Sequence, residues 1–255
     1  MIALITGASS GIGRDIAIEL CRRGNKVILA GQNIERLNAL KDKLGSNMVL
    51  DIIPGDLSKK QECFKLYEKA KKYDIDVLVN NAGFGTFGEF MSTDLDKEID
   101  MINVNVVAVH ILTKLFLRDF VKKDSGYILN IASTASFMAG PLMAAYYSTK
   151  NYVLRLTQAI HEELRRRHSN VRIGAFCPGP VNTRFDERAQ VSFSVKSISS
   201  DFAAKAAVDQ IYEKRVVYVP TFWLSVGMKA IKIVPDSIMR VMAYNFQRQK
   251  QGRSK

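Results

Sequence analysis

Short runs of β-branched and aliphatic residues alternate along the chain with longer stretches whose apolar positions recur every three or four residues. The apolar runs cover residues 2–6, 26–30, 49–53, 75–80, 126–131, 171–177 and 216–219. They are nearly continuous rather than alternating, which is the pattern of strands covered on both faces in a parallel sheet. Between them, Ile99, Ile102, Val106, Val109, Thr113, Phe116 and Phe120 fall on one face of a predicted helix. Val153, Leu154, Thr157, Ile160 and Leu164 mark a face of another. The β-α-β-α order predicts the α/β class: a single doubly wound parallel sheet with right-handed crossovers and helices on both faces.

Neither a repeat nor a Pro/Gly/Ser linker breaks this order before residue 220, so one domain is predicted over residues 1–220. Residues 221–255 leave the alternation. Phe222, Val226, Ala230 and Ile233 lie at helical steps there, and Ile238, Val241, Met242 and Phe246 repeat them after Pro235. Two amphipathic helices are predicted as a C-terminal extension of the same domain.

Composition narrows the class. The chain has 255 residues, 47% hydrophobic and 24% charged, which excludes disordered and fibrous proteins and leaves ample material for a core. Cys21, Cys63 and Cys177 are few, odd in number and far apart. They fit reduced thiols in a cytosolic protein rather than a disulfide scaffold or a structural zinc. His110, His161 and His168 have no metal-ligand spacing either, so no metal is expected.

Charge is uneven. Lys and Arg number 37 against 25 Asp and Glu, a net +12. Residues 222–255 hold seven of those cations (Lys229, Lys232, Arg240, Arg248, Lys250, Arg253, Lys255) against Asp236, which is half of the excess. Basic stretches interleaved with aromatics are missing, so nucleic acid is not an expected partner. The tail helices fit a lid or oligomer-packing element over the site, and their basic faces leave peripheral contact with a membrane surface as the alternative. A basic n-region and a 20-residue apolar span are both lacking, so neither a signal peptide nor a spanning helix is expected. The expected location is cytoplasmic, with membrane association through the tail as the alternative.

The first run leads into Gly7-Ala8-Ser9-Ser10-Gly11-Ile12-Gly13 and a helix predicted from Arg14. A glycine-rich turn between a strand and a helix suits a dinucleotide: glycines allow the tight turn and the close approach of a pyrophosphate. The helix N-terminus then meets its negative charge. The acid that binds a ribose 2′-hydroxyl at the end of the second strand is replaced by Gly31-Gln32-Asn33. This permits a 2′-phosphate and leans toward NADP(H), with NAD(H) as the alternative. Arginine and lysine are absent from residues 28–33, so the lean has no cation behind it.

Tyr146 and Lys150 are four apart, on one helix face. A free phenol has a pKa near 10. A neighbouring ammonium is expected to lower it and make an acid/base, while also holding a ribose hydroxyl. Ser133 follows the run 126–131, where a strand's carboxyl end meets a crevice, and suits a carbonyl oxygen. Asn105, on the preceding long helix, is placed to hold a water that relays protons to Lys150.

With these residues in order, the sequence resembles the classical short-chain dehydrogenase/reductase family, whose Rossmann fold it would share. The likeness runs from residue 2 to about residue 183. Thr6-Gly7 to Gly13, including Ser9, Ser10, Gly11 and Ile12, is similar to the cofactor motif. Asp56-Leu57 resembles the adenine-contacting pair, and Asn80-Asn81-Ala82-Gly83 matches the family's NNAG. Asn105, Ser133, Tyr146 and Lys150 fall on the catalytic tetrad. Pro178-Gly179-Pro180-Val181-Asn182-Thr183 resembles the segment that binds the nicotinamide amide. Gln32 departs from the arginine often found in NADP-preferring relatives.

The resemblance implies Tyr146 as general acid in reduction and base in oxidation, Lys150 as its pKa-lowering partner, Ser133 orienting the carbonyl, and a homodimer or homotetramer through the long helices. Phe84, Phe87, Phe137, Met138, Pro141, Leu142, Met143, Phe185, Val191, Phe193 and Val195 are candidates to line an apolar pocket. The expected activity is therefore NAD(P)(H)-dependent interconversion of a ketone and a secondary alcohol on a steroid, bile acid or lipid-like substrate. A 3-oxoacyl thioester reductase and a non-catalytic nucleotide binder are the alternatives.

Overall fold

The computed structural model describes residues 1–183 and 197–251. Every predicted apolar run becomes a strand of one sheet. The strands are β1 (Ile2–Thr6), β2 (Lys26–Gly31), β3 (Val49–Pro54), β4 (Val77–Asn80), β5 (Tyr127–Ile131), β6 (Arg172–Phe176) and β9 (Val217–Tyr218). All pair in parallel, in the order β3-β2-β1-β4-β5-β6-β9. Two short pieces, β7 (Val181–Asn182) and β8 (Ile198–Ser199), pair with each other outside it.

Alternate side chains serve opposite layers, as a pleated strand requires. Ile5, Leu29, Val79 and Leu129 pack with α1 (Gly11–Arg22), α2 (Ile34–Leu44) and α7 (Ser200–Glu213). Leu4, Ile28, Leu78 and Ile128 pack with α3 (Lys60–Ala70), α5 (Val109–Lys122) and α6 (Ala144–Arg166). Both faces are covered, which is why the strands read as unbroken apolar runs. The order reverses between β1 and β4, and such a switch point opens a crevice at the carboxyl ends of the strands.

One predicted helix face holds along only part of its length. α4 (Leu95–Ile102) continues into α5 through a π-helical turn, Asn103–Ala108. From Val109 to Phe120 the predicted residues are buried. Before and within the turn, Ile99 is exposed, and Met101, Val104, Asn105 and Ala108 are buried in place of Ile99, Ile102 and Val106. A π turn takes in one extra residue, so the inward stripe shifts there. Within the 28-residue run Leu95–Lys122, one 18-residue window is long and apolar enough, by length and composition, to cross a membrane. Its buried side, with Leu112, Phe116 and Phe120, is packed into the core under β4 and β5.

The tail forms α8 (Phe222–Ala230), a 3₁₀ turn at Ile231–Ile233, and α9 (Asp236–Gln251). The two helices exist as predicted, but six of the apolar residues used to predict them face outward. Phe222, Val226, Ile233, Ile238, Val241 and Met242 are exposed, while Met228, Met239, Ala243 and Gln247 are buried.

Candidate active site

The turn after β1 needs its glycines. Gly7 and Gly11 sit at φ +66° and +55°, a region that side chains with a Cβ rarely adopt. Gly13 is needed for closeness: a Cβ there would stand 2.6 Å from the Gly7 carbonyl oxygen. α1 begins at Gly11, three residues earlier than predicted, so Gly11, Ile12 and Gly13 form its first turn. That turn holds no acid, and the Ser10 side chain caps no backbone N–H. α2 differs, since Asn33 accepts from the Arg36 N–H at 2.9 Å. Among the described residues no side chain caps the start of α1, which presents backbone donors and a positive dipole end.

Asn81 fixes the two central strands beside this turn. Its amide donates to the Thr6 carbonyl at 2.9 Å, and the Thr6 hydroxyl accepts from the N–H groups of Asn81 and Ala82 at 3.0 and 3.1 Å. Asn80 continues a buried polar chain: its amide donates to Asn130 (2.9 Å) and Thr113 (3.0 Å), and Asn130 donates to Thr157 (2.9 Å). At the end of β2, Gln32 donates to Asp56 at 2.7 Å. Arg36 borders the same opening as Gln32 and Asn33. It escaped the sequence reading, which searched for a cation only as far as residue 33. The signal was present: Asn33 caps α2, and position 36 returns to the capped end one turn later.

Ser133, Tyr146 and Lys150 come together. Ser133 caps the 3₁₀ turn Thr134–Phe137, and its hydroxyl accepts from the Ala135 N–H at 3.1 Å. It also hydrogen-bonds the Tyr146 phenol. The Lys150 ammonium lies 6.0 Å from the centre of the Tyr146 ring and donates to the Ile131 carbonyl at 2.8 Å. The expectation that Lys150 pulls the phenol pKa down is corrected here. Burial dominates and pushes Tyr146 upward, opposed by the hydrogen bond to Ser133. Burial also brings Lys150 down to about 8.

Asn105 is fully buried in the π turn. Its amide donates to the Phe84 carbonyl (2.9 Å) and to Thr149 (3.1 Å), and its oxygen accepts from the Phe84 N–H (3.1 Å). Both amide hydrogens are thus committed to protein groups. A relay water would have to meet the second lone pair of its side-chain oxygen or its main chain.

One cavity of about 1100 Å³ collects these groups. Of the predicted residues, Gly7, Ser9, Ser10, Gly11, Ile12, Gln32, Leu57, Asn81, Ala82, Gly83, Ser133, Tyr146, Lys150, Pro178, Gly179, Val181 and Thr183 line it. Gly13 packs behind it, and Asp56 stands at its edge through Gln32. Phe84, Met138 and Met143 line it as expected, whereas Phe137 packs into a core cluster and Leu142 is buried. Phe185, Val191, Phe193 and Val195 lie outside the described residues. The far wall is made by tail residues that sequence reading did not name as lining, although it offered the tail as a lid over the site: Leu224, Met228, Met239, Met242, Ala243 and Gln247. Gln247 is buried and donates to the Tyr147 hydroxyl at 2.6 Å, tying α9 to α6 beside Tyr146.

The family model described as short chain dehydrogenase matches residues 1–192. The chain belongs to the short chain dehydrogenase family. It is 33% identical to an uncharacterized oxidoreductase of Staphylococcus aureus (strain MRSA252) over 184 residues, 71% of this chain and 78% of that protein. Among solved structures it is similar to a short-chain dehydrogenase from Sphingobium yanoikuyae in complex with NADPH, with TM-score 0.83 and 27% identity over 93% of this chain and 94% of that one. It also resembles the bulky-bulky ketone specific alcohol dehydrogenase from Comamonas testosteroni, with TM-score 0.77 and 25% identity over 91% and 92% of the two chains. This short chain dehydrogenase is accordingly an oxidoreductase of CH–OH groups.

Proposed function

We propose that this short chain dehydrogenase interconverts a bulky hydrophobic ketone and its secondary alcohol, with NADP(H) preferred over NAD(H). One observation carries the reading: Ser133, Tyr146 and Lys150 border the same cavity as an apolar wall of Leu224, Met228, Met239 and Met242. Flexible thioethers accommodate large, irregular substrates.

The residues present fit a dinucleotide. The positive-φ glycines and the uncapped start of α1 suit a pyrophosphate, and Asp56 and Leu57 suit an adenine. Gln32, Asn33 and Arg36 would hold a 2′-phosphate. Asn81, Ala82 and Gly83 would flank the nicotinamide half, with Pro178, Gly179, Val181 and Thr183 opposite. When bound, the nicotinamide supplies or accepts the hydride. Ser133 donates to the carbonyl oxygen and holds it beside the Tyr146 hydroxyl. Tyr146 gives that oxygen its proton in reduction and removes it in oxidation. Lys150 spends one of its three donors on Ile131, and the others reach a ribose hydroxyl and the proton path. Asn105 is bonded to Thr149, next to Lys150, and to the Phe84 main chain, and positions these rather than reacting itself. A homodimer or homotetramer through the long helices belongs to the same reading, favoured by exposed Leu95, Ile99 and Tyr152.

The test is cofactor oxidation by the purified protein with bulky hydrophobic ketones, small ketones and 3-oxoacyl thioesters. Turnover of the bulky ketones is expected. Turnover of thioesters alone would make the protein an acyl reductase, and nucleotide binding without turnover would make it a binder.

Two variants probe the ends of the cavity. Arg36→Ala should weaken NADPH roughly 10- to 100-fold, the worth of a charge-assisted hydrogen bond, and leave NADH affinity unchanged. Equal loss for both nucleotides would remove Arg36 from phosphate recognition. Gln247→Leu takes a donor from the Tyr147 hydroxyl, an effect on the order of 1–3 kcal/mol. The KM for a bulky ketone should rise while NADPH affinity holds; an unchanged KM would separate α9 from substrate binding.

A further inference from the structure

We propose that the outer face of α8 and α9 docks on an anionic lipid surface, against which the substrate cavity opens. This goes beyond the chemistry above and does not depend on it.

The two helices are apolar on both sides. Inward, Leu224, Met228 and Met239 line the cavity. Outward, Phe222, Trp223 and Ile233 are 73%, 81% and 86% exposed. The rings of Phe222 and Trp223 meet edge to face at 5.5 Å, forming one aromatic wedge at the start of α8. Ile238 and Val241 extend the face along α9. Soluble monomers rarely leave so many large apolar side chains contiguous and open to water. The arrangement matches a helix pair lying in an interface, where tryptophan in particular sits at headgroup level.

Charge selects the partner. Residues 222–255 carry seven cations and one acid, and Arg240 and Arg248 of α9 are exposed. Lysine and arginine beside an inserting apolar face bind anionic headgroups. A second copy of the same face would instead bring two strongly basic segments together, so the charge opposes self-association.

Met242 links surface and site. It lines the cavity and is nevertheless 58% exposed. A hydrophobic molecule leaving the lipid at this point reaches the cavity across an apolar wall without crossing water.

Trp223 is the single tryptophan of the chain, so the wild-type protein reports on its own docking. Equimolar phosphatidylcholine/phosphatidylglycerol vesicles should shift its emission to shorter wavelength and carry the protein down on sedimentation. Pure phosphatidylcholine vesicles should bind on the order of tenfold more weakly, and added salt should weaken the anionic case. Phe222→Ser/Ile233→Ser should cut sedimentation about tenfold and keep NADPH affinity. Unchanged emission with the protein left in the supernatant would overturn the proposal. So would a shift that follows protein concentration without lipid, which would make this face an interface between copies. Since the readout is lipid binding, a failed ketone assay leaves it untouched.

Discussion

Tyr146→Phe should lower turnover roughly 10²- to 10⁴-fold, the usual worth of a positioned general acid or base, while NADPH binding stays at its wild-type value. The variant keeps the ring, its packing against Tyr147 and its place on α6, and removes the hydroxyl beside Ser133. Burial holds that phenol protonated through neutral pH, which suits donation to a forming alkoxide. It suits removal of a proton from an alcohol poorly until the charge of Lys150 and the bound substrate compensate. Reduction should therefore be the faster direction at pH 7. Stopped-flow loss of NADPH absorbance, with separate nucleotide titration, measures both quantities. Wild-type turnover in the variant would remove Tyr146 from the chemistry.

Lys150→Met should be as damaging to turnover and should at the same time stabilise the free protein below pH 8. Lys150 is 6% exposed, and burial lowers its pKa to about 8, against about 10.4 in an unfolded chain. Below pH 8 the lysine is charged in both states, and the folded state bears the whole desolvation cost. Between pH 8 and about 10.4 the unfolded chain binds more protons, so stability rises with pH as the cost is relieved. The linkage amounts to on the order of 3 kcal/mol. Methionine has no such window, though it leaves the Ile131 carbonyl without its donor, a loss of about 1 kcal/mol. Denaturant unfolding at pH 7 should favour the variant by about 2 kcal/mol, and the gap should close as pH rises from 8 toward 10. A gap that ignores pH would mean the buried ammonium is not what separates the two proteins.

The parallel sheet was legible because burial on both faces leaves unbroken apolar runs, and all of those runs became strands. β7 and β8 were not legible, since two residues carry no period. The π turn at Asn103–Ala108 was hidden for a related reason: the spacing of valines and isoleucines looks helical whichever register is inward. Ser133, Tyr146 and Lys150 were readable from order and spacing. Their electrostatics were not, because the sequence shows which ammonium neighbours a phenol but not how much water both have lost. Arg36 and Gln247 depend on a helix cap and on a tail folding back across the chain from Tyr147, and no local pattern records the second. The tail helices were readable as amphipathic, yet with apolar residues on both sides the periodicity could not say which side faces the cavity.

The burial of the three cysteines gives the protein an internal clock. Cys21, Cys63 and Cys177 are all shielded from solvent, and Cys177, two residues past Ala175 of β6, has its thiol pushed up to about 12 by burial. At pH 7 only about one such thiol in 10⁵ is the reactive thiolate. An electrophile therefore waits for the fold to open before it can react. The pace at which each cysteine is labelled counts how often its own layer of the molecule breathes, with Cys21 reporting from α1, Cys63 from α3 and Cys177 from the core cluster it shares with Ala132 and Val153.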